Sequence, residues 1–82
     1  MNRKYLVVDD NVDFAENVAE ILTDAGAEVS VASEGKSALE QLKRTRFDGV
    51  VTDMKMPGLS GAELLGQLRE FDPGVPVVLL SA

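Results

Sequence analysis

A chain of 82 residues has room for one domain with a modest core and little stability to spare. It contains no cysteine and no histidine, which excludes a disulfide framework, a thiolate metal site and the side chain that most often serves as general base or zinc ligand. The net charge of -6 argues against non-specific binding to nucleic acid or to an anionic membrane.

The first element is the apolar run Tyr5-Leu6-Val7-Val8, which ends in Asp9-Asp10. It reads as a strand buried on both faces. With only four apolar residues after Met1-Asn2-Arg3-Lys4, it is too short for a signal peptide or a membrane span, and a soluble cytoplasmic protein is expected. Asn11 is a good N-cap, with Asp13 in the following turn. Phe14, Val18, Ile21, Leu22 and Ala25 then fall on one face of a helix that Gly26 stops.

Glu28 to Ala32 is Val-rich and reads as a second strand, at an edge of the sheet. A helix from about Gly35 to Lys43 turns Ala38, Leu39 and Leu42 inward, and Lys43-Arg44-Thr45-Arg46 is its solvated basic end. After the break at Asp48-Gly49, Val50-Val51-Thr52 forms a third strand running into Asp53. Met54 to Leu59, with Pro57-Gly58, is a loop. Ser60-Gly61-Ala62-Glu63 has capping-box spacing and opens a helix with Leu64, Leu65, Leu68 and Phe71 on one side. Pro73-Gly74 makes a turn, and Pro76 precedes a fourth apolar strand, Val77-Val78-Leu79-Leu80, which ends at Ser81-Ala82. The order βαβαβαβ specifies a parallel sheet covered on both faces.

Polar residues gather where strands end: Asp9 and Asp10, then Asp53, then Ser81. In open α/β sheets these carboxyl ends line the ligand crevice. Each aspartate alone has a plainer reading as a cap or turn residue, and that reading is strongest for Asp9. It is their joint placement at strand ends that points to a site. Two carboxylates about 4 Å apart repel by roughly 4 kcal/mol at an effective dielectric near 20, so a cation is called for unless one of them is protonated. A hard divalent ion with oxygen ligands fits, and Mg²⁺ is the usual partner of phosphates. One carboxylate would then be left to attack as a nucleophile, though spacing does not say which.

Val7-Val8-Asp9-Asp10-Asn11, Val51-Thr52-Asp53-Met54-Lys55-Met56-Pro57-Gly58-Leu59-Ser60-Gly61 and Val77-Val78-Leu79-Leu80-Ser81-Ala82 together resemble the receiver domain of two-component response regulators. The likeness runs along essentially the whole chain, with the motifs in family order. It implies a flavodoxin-like doubly wound sheet of strand order 2-1-3-4-5. It also implies a phosphoacceptor module that takes a phosphoryl group from a histidine kinase or phosphotransfer protein. Such a module assists its own phosphorylation and dephosphorylation and is not otherwise an enzyme. By the same resemblance Asp53 is the phosphoacceptor, Asp10 a direct Mg²⁺ ligand, Asp9 its partner through water, and the Lys55 carbonyl the third protein ligand. Ser81 is the hydroxyl that bonds a phosphoryl oxygen, and Ala82 the small neighbour that leaves room for it.

The resemblance also sets an expectation of incompleteness. The family pattern continues through a fourth helix, a fifth strand with its lysine and aromatic switch residue, and a fifth helix. The 82 residues are thus read as the N-terminal portion of the domain. Tyr5, Phe14, Phe47 and Phe71 are assigned to the core. Val77 to Leu80 would become an exposed edge, and the chain is expected to self-associate through it. Two competing readings are a non-catalytic interaction piece using that edge, and a haloacid-dehalogenase-type phosphatase. The phosphatase reading fails because Asp9-Asp10-Asn11-Val12 lacks the Asp-x-Asp pattern.

Overall fold

The computed structural model describes residues 2–53, 61–71 and 74–80. Its elements run β1 (Lys4–Val8), α1 (Val12–Asp24), β2 (Glu28–Ala32), α2 (Gly35–Arg44), β3 (Gly49–Asp53), α3 (Gly61–Phe71) and β4 (Val77–Leu80). The strands pair in the order β2-β1-β3-β4, all in parallel. This is the α/β sheet expected from sequence, with β2 and β4 at its described edges. Each parallel strand is reached from the one before it in the chain by a helical crossover.

Side-chain alternation divides the strands between two layers. Leu6 and Val8 of β1 and Val50 of β3 join Ala38, Leu39 and Leu42 of α2 and Leu64 and Leu68 of α3 in one buried cluster with Ala32, Phe47 and Val75. The inward residues foreseen for α2 are therefore buried. Arg69 closes the end of this layer, its Nη1 donating to the Val75 carbonyl at 2.6 Å.

On the other face α1 packs on β1 and β2. Asn11 caps it as expected, Oδ1 accepting the Phe14 N–H at 3.1 Å. At the far end Gly26 takes φ 97°. Its N–H reaches Thr23 O at 2.9 Å, and Ala27 N–H reaches Leu22 O at 3.1 Å, the paired bonds of a Schellman stop. The core place expected for Phe14, on the apolar face of α1, is corrected. Ala15 is fully buried, whereas Phe14 and Ile21 are 43 % and 68 % exposed. Ala25 is exposed as well, and Val18 and Leu22 are half-buried. The small Ala15 lets the helix approach the sheet closely. The outer part of the stripe stays exposed, with no described element over it. Phe14 thus does not belong to the core, while Phe47 does. The Phe71 side chain and the capping box at Ser60 lie outside the described residues.

Candidate metal and phosphoryl site

Register brings the acidic residues together. In the β1–β3 pairing Val7 faces Val51 and Val8 faces Thr52, so one step further along the parallel strands Asp9 comes abreast of Asp53. Asp9 follows the alternation of Val7, and Asp53 that of Val51, which puts both on the face that carries α1. Asp53 is the last residue of β3, a residue later than the sequence reading placed the strand's end. Beside it Thr52 is fully buried, and its hydroxyl donates to the Asp53 carbonyl at 3.2 Å.

Asp10 should by strict alternation point to the opposite face. The backbone bends at Asp10 instead. The bend is closed by an Asx turn, in which Asp9 Oδ1 accepts the Asn11 N–H at 2.9 Å. Asp9 is also tied to β2 through its own N–H, which donates to Ala32 O at 3.1 Å. Asp9, Asp10 and Asp53 can each offer a carboxylate oxygen, and these atoms all lie within 4.8 Å of one another. The plain role foreseen for Asp9, a turn carboxylate, and its place in an acidic site are therefore both real. What sequence reasoning missed was the second task of Asn11, which it saw only as a helix cap. An Asp two residues before a cap residue was the available signal.

The three carboxylates form an acidic cluster whose mutual repulsion a cation would relieve. Asp9 is only 6 % exposed, and burial is the largest influence lifting its carboxyl above the ordinary range. The Asn11 N–H bond opposes that rise, while the Asp53 charge, a side-chain hydrogen bond with Asp10 and the Asp10 charge add to it. The donor set is all hard oxygen with graded burial, from buried Asp9 through half-buried Asp53 to exposed Asp10. It matches the preference of Mg²⁺ for a few carboxylates with water completing its shell. Lys55, Ser81 and Ala82, the other site residues inferred from sequence, lie outside the described residues.

Comparison with known proteins agrees with this geometry. The model of the family described as response regulator receiver domain matches residues 5–82. A response regulator receiver protein of Anaeromyxobacter sp. (strain Fw109-5) is 54 % identical over 80 residues, covering 98 % of this chain and 34 % of its own length. The chain thus spans about one third of that curated relative. Among solved structures, a Francisella response regulator receiver domain superposes with a TM-score of 0.92 at 37 % identity, over 99 % of this chain and 67 % of its own. The response regulator TrrA of Thermotoga maritima, solved in complex with Mg²⁺-BeF, gives 0.93 at 35 % identity, over 98 % and 70 %.

Proposed function

The chain belongs to the response regulator receiver family, a family of signalling modules rather than conventional enzymes, and from that premise we propose that it is a phosphoacceptor that receives a phosphoryl group on Asp53 in a two-component phosphorelay. The observation that carries the reading is the convergence of Asp9, Asp10 and Asp53 where β1 and β3 end.

In this reading a carboxylate oxygen of Asp53 attacks the phosphorus of a phosphohistidine on a sensor kinase or phosphotransfer protein. A P–O bond forms to Asp53, while the P–N bond breaks and its electron pair stays on the imidazole. The chemistry that a Mg²⁺ ion would supply here is neutralisation of charge on the carboxylates and on the phosphoryl oxygens. Asp10 and Asp9 would hold that ion, Asp10 as a direct ligand and Asp9 as its partner, with the Lys55 carbonyl as a third protein ligand. The buried Thr52 hydroxyl steadies the Asp53 backbone at the strand end. Ser81 donates to a phosphoryl oxygen, and Ala82 leaves space beside it. The cytoplasm, where such kinases present their phosphohistidine, is the proposed compartment; no described helix is long and apolar enough to cross a membrane.

The experiment is phosphorylation by a small phosphodonor with Mg²⁺, followed by mapping of the modified residue. A base-labile acyl phosphate at Asp53 is expected, absent from Asp53→Asn and reduced in Asp9→Asn. Equal uptake by Asp53→Asn would remove the assignment.

A second reading, an interaction module that pairs through β4, is favoured by one observation: Val78 is 54 % exposed on a strand at the described edge of the sheet. Light scattering across a concentration series tests it. Self-association abolished by Val78→Lys supports the reading, and a monomer at every concentration rejects it.

A further inference from the structure

Asp9 and Asp10 are consecutive, and consecutive side chains on an extended strand point to opposite faces. Their carboxylates nevertheless reach one place, and the turn that achieves this depends on Asn11. The Asn11 N–H donates to Asp9 Oδ1 at 2.9 Å, which closes a ring around the backbone of Asp10. The same residue is held from its other side by α1. Its Oδ1 accepts the Phe14 N–H at 3.1 Å, and its carbonyl accepts the Ala15 N–H at 3.0 Å. With φ −84° and ψ 99° its backbone is extended, the conformation that frees its N–H from the helix and aims it back at Asp9. Ala15 is itself fully buried, so the first turn of α1 is anchored on the sheet.

We propose that Asn11 is a positioning residue of the cation site. Its side-chain cap holds the turn in which its backbone N–H fixes the Asp9 carboxylate, and that turn brings Asp10 to the same ion. The inference rests on the reading of Asp9 and Asp10 as holders of a divalent cation, and it deepens that reading. Groups that orient metal ligands without touching the metal typically change affinity by about 10- to 100-fold when removed. The effect here should sit at the low end, because the N–H survives substitution and only its support is lost.

The test is Mg²⁺ and Mn²⁺ binding by the full chain, followed by NMR shifts for Mg²⁺ and by paramagnetic broadening for Mn²⁺, with thermal unfolding recorded for each variant. Asn11→Ala, which removes the cap, should weaken binding about tenfold. Asn11→Ser, which restores a capping oxygen, should return to within about twofold of the parent. Ala19→Gly weakens α1 in its middle without touching the turn, and it should bind as the parent does. Parent-like binding by Asn11→Ala overturns the proposal. So does an Asn11→Ser variant as weak as Asn11→Ala, or an equal loss in Ala19→Gly, which would reduce the effect to general helix stability. Asp10→Asn separates the two levels of the argument. If it binds both ions as well as the parent, the cation site itself is misread and the role of Asn11 falls with it. If it binds weakly while Asn11→Ala binds normally, only the role of Asn11 fails.

Discussion

Leu68 of α3 is fully buried, whereas Ile21, an equally apolar residue in the body of α1, is 68 % exposed. The contrast extends across the two sides of the sheet. Beneath α2 and α3, Leu6, Val8, Val50 and Leu64 are no more than 1 % exposed. On the α1 side Val7 is equally covered, but Val51 is half-buried and Val78 is 54 % exposed. Both sides carry apolar residues from the same strands. The difference lies in how many helices lie over them among the described residues: two pack together above one face, and α1 alone sits over the β1–β2 half of the other. An apolar stripe marks a surface that gains by being covered, and only the arrangement of neighbours decides how much of it is.

Truncation on each side sharpens this contrast most. Leu68→Ala should cost about 3 kcal/mol, the lost transfer energy plus a cavity that α2 and the strands cannot close. Denaturant unfolding would read this as a lower midpoint with little change in slope. A loss below about 1 kcal/mol would mean the α2–α3 layer is looser than its burial implies.

Next in size is Gly49→Ala. A Cβ at Gly49 would come within 2.9 Å of the Tyr5 ring on the neighbouring strand. Tyr5 is only half-buried on the open side, so its ring has room to swing away. The cost should stay near 1 kcal/mol, at the low end for overpacking. A loss of 3 kcal/mol in the same unfolding assay would show that the α1 side is as tightly packed as the other.

Asp9→Asn tests the acidic end of the open side, and a gain smaller than either loss is expected. The Asp9 carboxyl is raised above the ordinary range, so the folded chain holds its proton more tightly than the unfolded chain does. The stability this contributes is fully present below about pH 3.9, the pKa of an unperturbed aspartate, and is lost as pH rises through the folded value. Without metal, Asp9→Asn should therefore be more stable than the parent at neutral pH, and the advantage should shrink as pH falls towards 4. Saturating Mg²⁺ should reverse the order, because it stabilises only the chain that binds it well. Melting curves over pH with and without Mg²⁺ would show both effects. A parent more stable than Asp9→Asn in chelator at pH 7 contradicts the account. The smallest change belongs to Ile21→Ala, expected within about 0.5 kcal/mol as for an exposed site; a cost like that of Leu68→Ala would show that something covers α1 in solution.

Much of the site was legible before the fold was. Asp9, Asp10 and Asp53 stood out because each ends a continuous apolar run, and parallel strands deliver such ends to one edge of a sheet. The strand runs themselves and the α2 stripe of Ala38, Leu39 and Leu42 were equally plain, since continuous apolar runs and a period of 3.6 residues are written into the order of side chains. The stripe on α1 was read with the right period, but Phe14 on it was placed too deep. Periodicity names the face that prefers burial, but it carries no information about which neighbours are there to bury it.

The residues alone therefore determined the alternation of strands and helices, the acidic composition of the strand ends, the cap at Asn11 and the stop at Gly26, because each follows from local sterics or from the spacing of side chains along the backbone. The tertiary structure decided that Asp9 comes abreast of Asp53, through the β1–β3 register. It decided that the Asx turn at Asn11 swings Asp10 towards them both, and that Ala15 rather than Phe14 or Ile21 meets the sheet. These depend on contacts between residues far apart in the chain or on the closure of a turn against a packed helix, and no local pattern encodes where a distant strand will stop beside its neighbour.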